Sequence, residues 1–279
     1  MHLGDFELLP LLDGEFRLDG GVMFGVVPRV LWEKEQVPDS KNRLTLAIRA
    51  LLVKTPEKNF LIDAGIGENL ASRWMENYAV VRRAPLEQLL SDQGVNPEDV
   101  DGVLLTHLHF DHVGGATRRD AQGRFVPAFP RAVHYLQKGE LADALQPNER
   151  TRASYVRENL DPLLEKKLVR EIEGDVTVAE GIRLIVTGGH TRHHQAVLLQ
   201  SQGRTAIFFA DLVPTAVHLA LTYIMGLDLY PNDTLEAKKR LLPQAFSEGW
   251  VVSFDHDPKL ALARLTLENG RYRAVSVEE

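Results

Sequence analysis

The chain has 279 residues, of which 44% are hydrophobic and 25% charged, a composition that indicates a globular protein rather than a disordered or fibrous one. Its 32 Lys and Arg against 39 Asp and Glu give a formal net charge of −7, which argues against nucleic acid as a partner. Cysteine is absent, so disulfides, thiol nucleophiles and thiolate metal sites are excluded and any metal must bind to His and carboxylate side chains.

The beginning of the chain carries no recognisable targeting signal. The segment Met1–Phe16 contains four acidic residues and lacks a basic start followed by an apolar run, which a secretory signal would need. No run approaches the roughly 20 apolar residues of a membrane span. We therefore expect a cytoplasmic protein without a membrane partner. Because no repeat or linker divides the sequence, we also expect a single domain over residues 1–279.

Apolar segments bounded by turn residues predict strands, and a helical repeat of apolar residues predicts helices. In chain order, the predicted strands are Phe6–Leu12, Leu44–Lys54, Phe60–Asp63, Val100–Thr106, Ala132–Tyr135, Ile182–Thr187, Ala196–Gln200, Thr205–Ala210, Trp250–Phe254 and the tail from Leu260. The predicted helices are Pro85–Gln93, Lys138–Leu145, Thr151–Leu168 and one that begins near Asp233. This order predicts an α/β fold, and a sandwich of two mixed sheets with outer helices fits it.

A cluster of potential metal ligands directly follows the apolar run Val103–Leu105. It reads Thr106-His107-Leu108-His109-Phe110-Asp111-His112. Such a pattern arises by chance on the order of once in a thousand sequences of this size. In an extended segment alternate side chains share one side, and the following Gly114 and Gly115 allow the chain to turn. Asp111 and His112 can therefore face the same centre as the first two histidines.

Three further potential ligands lie just beyond other predicted strands, where a rigid element passes into a loop. They are His190, after Gly188-Gly189; Asp211, after an apolar run; and His256, after another. Imidazole and carboxylate ligands without thiolate suit zinc, with manganese, iron or cobalt as alternatives. The sequence therefore predicts a metal site assembled from several strand ends.

The order of these residues resembles the metallo-β-lactamase superfamily over most of the chain. The resemblance rests on four features in this order: T-H-x-H-x-D-H, G-H-T, an Asp after an apolar strand, and a late His. Leu61–Gly65 is also similar to the family's L-I-D-x-G strand end. The resemblance implies a four-layer αββα sandwich with the metal site at one edge between the sheets. It also implies a hydrolase with two divalent metals.

The resemblance implies a role for each predicted ligand. The first metal would bind His107, His109 and His190, the second would bind Asp111, His112 and His256, and Asp211 would bridge them. The nucleophile would be a hydroxide shared by the two metals, with Asp111 and Asp211 as the catalytic carboxylates. We expect Asp63 to support the ligands through hydrogen bonds rather than to bind metal.

Two segments extend the resemblance to a lactonase-like branch that includes quorum-quenching N-acyl-homoserine lactonases, with methyl parathion hydrolase as a more distant relative. They are Gly21–Pro28 followed by Leu31-Trp32, and Asp211–Thr215 followed by His218-Leu219. This branch implies a lactone or related ester as substrate, with arylesterase or phosphotriesterase activity as the alternative. Two hypotheses of another class are an RNA-processing nuclease, which the acidic charge disfavours, and a non-catalytic module that binds metal or ligand.

The sequence departs from the family pattern at two places. The usual T-P-G-H-T-x-G-H reads Thr187-Gly188-Gly189-His190-Thr191-Arg192-His193-His194. Pro214 stands where well-known lactonases carry a Tyr that contacts the substrate carbonyl. No residue of this sequence is assigned to that contact by position, and Tyr223 is a candidate for it.

Two apolar segments are candidate walls of a substrate cleft. Val22–Trp32 is a candidate lid, cleft wall or homodimer surface, and Leu219–Leu229 is a second candidate wall. The predicted substrate contacts are Phe24, His218, Tyr223 and Met225.

Overall fold

Apolar segments of the chain form two large sheets in the computed structural model, which describes residues 1–277. The last two residues of the predicted domain, 278 and 279, lie outside the described residues. In chain order, the strands are β1 (His2–Leu3), β2 (Phe6–Asp19), β3 (Arg43–Lys54), β4 (Asn59–Ile62), β5 (Val81–Arg82), β6 (Gly102–Leu104), β7 (Thr117–Arg119), β8 (Phe125–Pro127), β9 (Val133–Gln137), β10 (Val169–Ile172), β11 (Val176–Ala179), β12 (Ile182–Val186), β13 (Gln195–Ser201), β14 (Arg204–Phe208), β15 (Val251–Ser253), β16 (Leu262–Glu268) and β17 (Arg271–Ser276).

Most of the helices are short. They are α1 (Gly20–Phe24), α2 (Arg29–Trp32), α3 (Ser72–Asn77), α4 (Leu86–Ser91), α5 (Phe110–Val113), α6 (Lys138–Leu145), α7 (Asp161–Glu165) and α8 (Pro231–Ser247). Single 3₁₀ turns cover Pro97–Asp99, Gly114–Ala116, Arg157–Asn159, Ala210–Leu212 and Ala216–Leu219. None of the helices within residues 1–277 is long and apolar enough to cross a membrane.

The two sheets differ in strand direction. The first has the order β1-β2-β3-β4-β6-β9-β10, with β5 paired to β2; it is antiparallel from β1 to β4 and parallel from β4 to β10. The second runs in chain order from β11 to β17 and is antiparallel apart from the parallel pair β14 and β15. β7 and β8 form a separate hairpin.

Alternation along β3 shows how the layers stack. Leu51 faces the second sheet and shares a core with Leu184 of β12, whereas Leu52 faces the other way and shares a core with Leu90 of α4. This is the period-two alternation of a strand buried on both faces. On the outer face of the second sheet, Leu241 of α8 packs in a third core. The layers are therefore helices, sheet, sheet and helix, which confirms the predicted four-layer αββα sandwich.

One predicted helix is wrong. Lys138–Leu145 forms a helix as predicted, but the segment predicted as the helix Thr151–Leu168 contains only a 3₁₀ turn and the short α7. Pro162 lies in the first turn of α7, where its missing amide is tolerated; in the middle of the predicted helix it would remove a backbone hydrogen bond. Upstream of α7, the Ser154 carbonyl accepts a hydrogen bond from the amide of Phe110, which lies in the predicted ligand segment. This carbonyl therefore does not form a hydrogen bond within a helix.

Candidate metal centre

The predicted ligands lie where strands of both sheets end. β6 leads into the segment from His107 to His112, β12 leads to His190, β14 leads to Asp211 and β15 leads to His256. Because β12, β14 and β15 run in the same direction in the second sheet, their carboxyl ends meet at one edge. Residues far apart in sequence therefore converge at this edge.

Close backbone packing shapes the first ligand segment. The extended chain ends at His109, and α5 then turns Asp111 and His112 toward the centre, so the turn begins before the predicted glycines. Gly114 packs directly against the loop after β4: a Cβ at this position would lie 2.0 Å from the carbonyl oxygen of Ile66. Only glycine fits there without moving the loop.

The first group of ligands consists of His107, His109, His190 and Asp211, whose ligand atoms lie within 4.8 Å of one another. His190 Nε2 lies 3.0 Å from Asp211 Oδ2 and 3.0 Å from His109 Nδ1. His107 Nε2 lies 3.7 Å from the same Asp211 oxygen. His107 and His190 are fully buried and His109 is half-buried, so the group is open on the side of His109.

The second group lies around the other oxygen of Asp211. His256 Nε2 is 3.1 Å and His112 Nε2 is 3.6 Å from Asp211 Oδ1. Asp111 Oδ2 lies 3.7 Å from His256 Nε2 and 3.9 Å from His112 Nε2. The structure thus brings all seven predicted ligands together: six belong to the two compact groups, which share Asp211, and Asp111 lies beside the second group.

Asp255 is a further carboxylate in the second group, and it is not among the residues predicted from the sequence. Its ligand oxygen lies within 4.8 Å of those of His112, Asp211 and His256. Asp255 Oδ2 is 3.5 Å from His256 Nε2, and Oδ1 accepts a hydrogen bond from the His256 amide. Its position directly before a predicted ligand was the only signal in the sequence. Asp111 and Asp255 therefore both lie beside His112 and His256.

Burial and charge divide the histidines into two kinds. Burial and the neighbouring imidazoles hold the pKa values of His107 and His109 well below the usual range, so these rings are neutral, as metal ligands must be. Burial also disfavours charge on His112 and His190. Nearby carboxylates, among them Asp211, outweigh burial and raise the pKa to about 9 for His112 and about 10 for His190. The carboxylates thus create a negative potential that bound cations would balance.

Orphaned polar atoms show that this centre fits metal ions. Among the described residues, ten buried side-chain nitrogen and oxygen atoms lack a hydrogen-bond partner, and three of them are His107 Nε2, Asp211 Oδ1 and Asp255 Oδ2. Leaving such atoms unpaired in an interior costs about 1–3 kcal/mol each, and more for a charged group. All three belong to the two ligand groups. A set of imidazole nitrogens and carboxylate oxygens such as these two groups provide suits zinc and similar divalent metals.

Asp63 holds the first ligand segment in place, as expected from the sequence. Its Oδ2 lies 2.9 Å from His112 Nδ1 and accepts a hydrogen bond from the Thr106 hydroxyl. Its Oδ1 accepts a hydrogen bond from the Thr106 amide. When His112 donates from Nδ1, its Nε2 lone pair is left free to bind a metal.

Glu140 of α6 links the two histidine loops and was missed in the sequence. Its Oε1 accepts hydrogen bonds from the Leu108 amide, at 3.2 Å, and the Tyr155 hydroxyl, at 3.1 Å. Its Oε2 accepts one from the Thr191 hydroxyl at 2.7 Å. Burial raises the pKa of Glu140. Nothing in the local sequence distinguishes this glutamate from those on a solvated helix face.

A narrow cleft of about 150 Å³ opens beside the ligands, lined by His109, Asp111, Asp211 and His256. Its other walls are mainly apolar: Phe16, Leu18, Val22, Met23, Leu46, Phe110, Met225 and Leu227. The hydroxyl-bearing residues Tyr78 and Ser154 complete the lining. Burial raises the pKa of Tyr78, and the charge of Asp111 raises it further, so its phenol is neutral.

Of the four predicted substrate contacts, only Met225 lines this cleft. Phe24 is fully buried, with its ring stacked 5.0 Å from those of Trp32 and His218. Tyr223 lines a separate surface groove and meets the edge of Phe24. The prediction that Phe24, His218 and Tyr223 line the cleft is therefore wrong.

The burial of His218 explains that correction. The 3₁₀ turn Ala216–Leu219 directs this ring into the interior, where burial lowers its pKa to about 3. Its Nδ1 lies 2.8 Å from the Thr215 hydroxyl and its Nε2 lies 2.8 Å from the Met23 carbonyl. Both nitrogens are occupied within the protein. His218 thus supports Met23, which does line the cleft.

Comparisons with known proteins agree with this geometry. The family model of the metallo-beta-lactamase superfamily matches residues 45–256. An N-acyl homoserine lactonase from Bacillus cereus is 28% identical over 237 residues, which are 77% of this chain and 83% of that protein. N-acyl homoserine lactonase AttM from Rhizobium radiobacter is 27% identical over 170 residues, 59% of this chain and 61% of that protein.

Two solved structures are similar over the full length. A probable metal-dependent hydrolase from Staphylococcus aureus has a TM-score of 0.91 and 29% identity, with 100% of both chains covered. AidC, described as a dizinc quorum-quenching lactonase, has a TM-score of 0.79 and 22% identity, with 100% of this chain and 97% of that chain covered. At that identity the second likeness shows the fold alone.

Proposed function

The chain belongs to the metallo-β-lactamase superfamily and is a metal-dependent hydrolase, and from this premise we propose that it opens lactones and cleaves related carboxylic esters. The observation that carries the proposal is the pair of ligand groups that share Asp211 and open onto a narrow apolar cleft. The lactonases among its relatives make N-acyl-homoserine lactones the first substrates to test.

In this proposal the enzyme holds two divalent metals, with zinc as the first candidate and manganese, iron and cobalt as alternatives. The first would be held by His107, His109 and His190, the second by Asp111, His112 and His256, and Asp211 would direct one oxygen toward each. Metals bound there supply a nucleophile from water at neutral pH and polarise the carbonyl oxygen of the substrate.

The protein's own groups orient the substrate and move protons. Leu18, Met23 and Met225 on the cleft walls would bind the acyl chain and exclude bulk water. Asp211 and Asp111 line the same cleft. In this proposal, one of these carboxylates carries a proton from the attacking water to the leaving alkoxide oxygen.

The character of the cleft favours a neutral substrate. Among residues 1–277, no Lys or Arg lines this cleft, and its walls away from the ligands are mainly apolar. An RNA or a phosphate monoester would enter without a cation from the protein to balance its charge, which disfavours the nuclease hypothesis. A neutral aryl ester or phosphotriester fits the same apolar walls and is the second candidate class.

A substrate panel tests the proposal. Enzyme loaded with zinc, cobalt or manganese would be assayed with N-acyl-homoserine lactones, simple lactones, aryl esters and phosphotriesters. We expect the largest kcat/KM for a lactone, with a preference that follows acyl-chain length because the chain contacts the apolar walls. Higher kcat/KM for phosphotriesters would reassign the substrate. Saturable lactone binding without product would identify a non-catalytic binding module instead.

A further inference from the structure

Two hydroxyl-bearing residues line the cleft, Tyr78 and Ser154. Tyr78 directly follows α3 and is half-buried. Aromatic contacts hold its ring: the centroid of Phe110 is 5.5 Å away and that of Trp74 is 5.7 Å away, both at an interplanar angle of 20°. The edge of Phe16 closes the third side at 6.5 Å. The phenol is therefore held at a defined position on the cleft wall.

Two of these aromatic neighbours, Phe110 and Phe16, also lie next to predicted metal ligands. Phe110 stands between His109 and Asp111 in the chain, and the Phe16 ring lies 5.4 Å from that of His256. Within the described part of the chain, the Tyr78 hydroxyl forms no hydrogen bond with another residue, and Tyr78 lines the same cleft as Asp111 and His256. It is free to donate to a molecule bound there.

We propose that the Tyr78 hydroxyl donates a hydrogen bond to the carbonyl oxygen of the ester bond that is cleaved, which makes Tyr78 a catalytic residue. This inference rests on the proposed ester or lactone substrate. Attack on that carbonyl places negative charge on its oxygen. A fixed neutral donor in a mainly apolar cleft binds this charged oxygen more strongly than the uncharged carbonyl of the substrate. The phenol keeps its proton throughout and forms no covalent bond.

Other hydroxyls are less well placed for this role. Ser154 is shorter, so it reaches less far into the cleft, and its carbonyl is bound to the Phe110 amide. The Tyr155 hydroxyl already donates a hydrogen bond to Glu140. Tyr223 lies in the outer groove. Tyr78 is thus the phenol that lines the cleft among the described residues.

Tyr78→Phe tests the role of the hydroxyl because it keeps the ring and its stacking. For metal-loaded enzyme and a lactone that the wild type cleaves, we expect kcat to fall about 10²-fold with KM changed by less than about threefold. Metal content and thermal midpoint should match those of the wild type. Tyr272→Phe, the same chemical change in the outer groove, is the matched control and should retain wild-type kinetics.

The outcomes separate this inference from the proposed function. Wild-type kcat in Tyr78→Phe would overturn the inference while lactone hydrolysis by the wild type stood. A raised KM with unchanged kcat would also overturn it, because that pattern marks a contact made equally in the ground state. Loss of activity in Tyr223→Phe but not in Tyr78→Phe would overturn it as well. Absence of wild-type turnover on every lactone and ester would overturn both.

Discussion

His190 and Asp228 form a buried pair in which the ring Nδ1 lies 3.0 Å from the carboxylate Oδ1. The other oxygen of Asp228 accepts a hydrogen bond of 2.6 Å from the Thr234 hydroxyl at the start of α8. When neutral His190 donates from Nδ1, the lone pair of its Nε2, which faces Asp211, is left for a metal. α8 therefore helps to fix the predicted metal ligand His190, which follows β12.

We predict that Asp228→Asn weakens zinc binding roughly 10- to 100-fold, because the amide orients His190 less well and makes it a poorer donor to the metal. A competition titration with a chromogenic chelator measures this affinity. Asp233→Asn removes the same charge from an exposed position nearby and is the control. Equal zinc affinity in Asp228→Asn and the wild type would show that the pair has no such role.

We predict that the His109→Ala variant loses nearly all hydrolytic activity and remains folded. His109 is half-buried at the mouth of the first group, so its removal takes away a ligand without emptying a core position. Steady-state kinetics and circular dichroism together measure the two properties. His2→Ala, an exposed histidine, should behave like the wild type. Wild-type turnover in metal-replete His109→Ala would defeat the ligand assignment.

The buried ion pair between Asp13 and Arg82 should matter for stability. Asp13 is fully buried, and its Oδ1 lies 2.7 Å from Arg82 Nη2, while its Oδ2 accepts a hydrogen bond from the Ile66 amide. We predict that Asp13→Ala lowers the free energy of unfolding by about 3 kcal/mol, because it leaves these donors unpaired.

The control for this pair is Glu15→Ala, which breaks the more exposed contact with Arg83. Its effect on the free energy of unfolding should stay below about 1 kcal/mol. Urea denaturation compares the two variants with the wild type. Equal effects of the two substitutions would mean that burial does not distinguish the pairs.

The buried Lys238 should make the free energy of unfolding depend on pH. Its ammonium is buried and donates to the carbonyls of Ala220 and Tyr223, and burial lowers its pKa from 10.5 to about 7. Between these values the unfolded chain binds more protons at this site than the folded one. The stability that Lys238 contributes is thus complete above pH 10.5 and is lost as the pH falls through about 7.

Lys238→Met provides the comparison. We predict that the stability of the wild type relative to this variant increases by up to about 1.4 kcal/mol per pH unit from neutral to alkaline pH. Urea denaturation at a series of pH values measures the difference. A difference that stays constant over this range would show that the amine keeps its ordinary pKa in the folded protein.

The ligands could be found from the sequence because they occur in dense or ordered patterns next to apolar strands. His107 to His112 form one such pattern, and the strand that precedes each distant ligand is readable by its apolar run. The same runs fitted a sandwich of two sheets with outer helices, and the resemblance to the family implied its four layers. Supporting residues such as Asp228 and Glu140 could not be found, because their roles depend on contacts between distant segments that no local pattern encodes.

Side-chain direction also could not be read from local sequence. Phe24, the last residue of α1, and Met225 both lie in apolar segments, yet Phe24 is enclosed by Trp32 and His218 and Met225 lines the cleft. The direction of each side chain depends on how the segment 20–32 packs against the segment after Asp211. The single domain, the cytoplasmic location and the homodimer stay predictions.

Elemental analysis of the purified protein is the decisive measurement for a centre in which two ligand groups share Asp211. We predict about two equivalents of divalent metal per chain in the wild type and a clear loss in Asp211→Ala, which removes the residue common to both groups. A wild-type protein that contains no metal, and that takes up none and gains no activity when zinc, cobalt or manganese is added, would contradict this assignment.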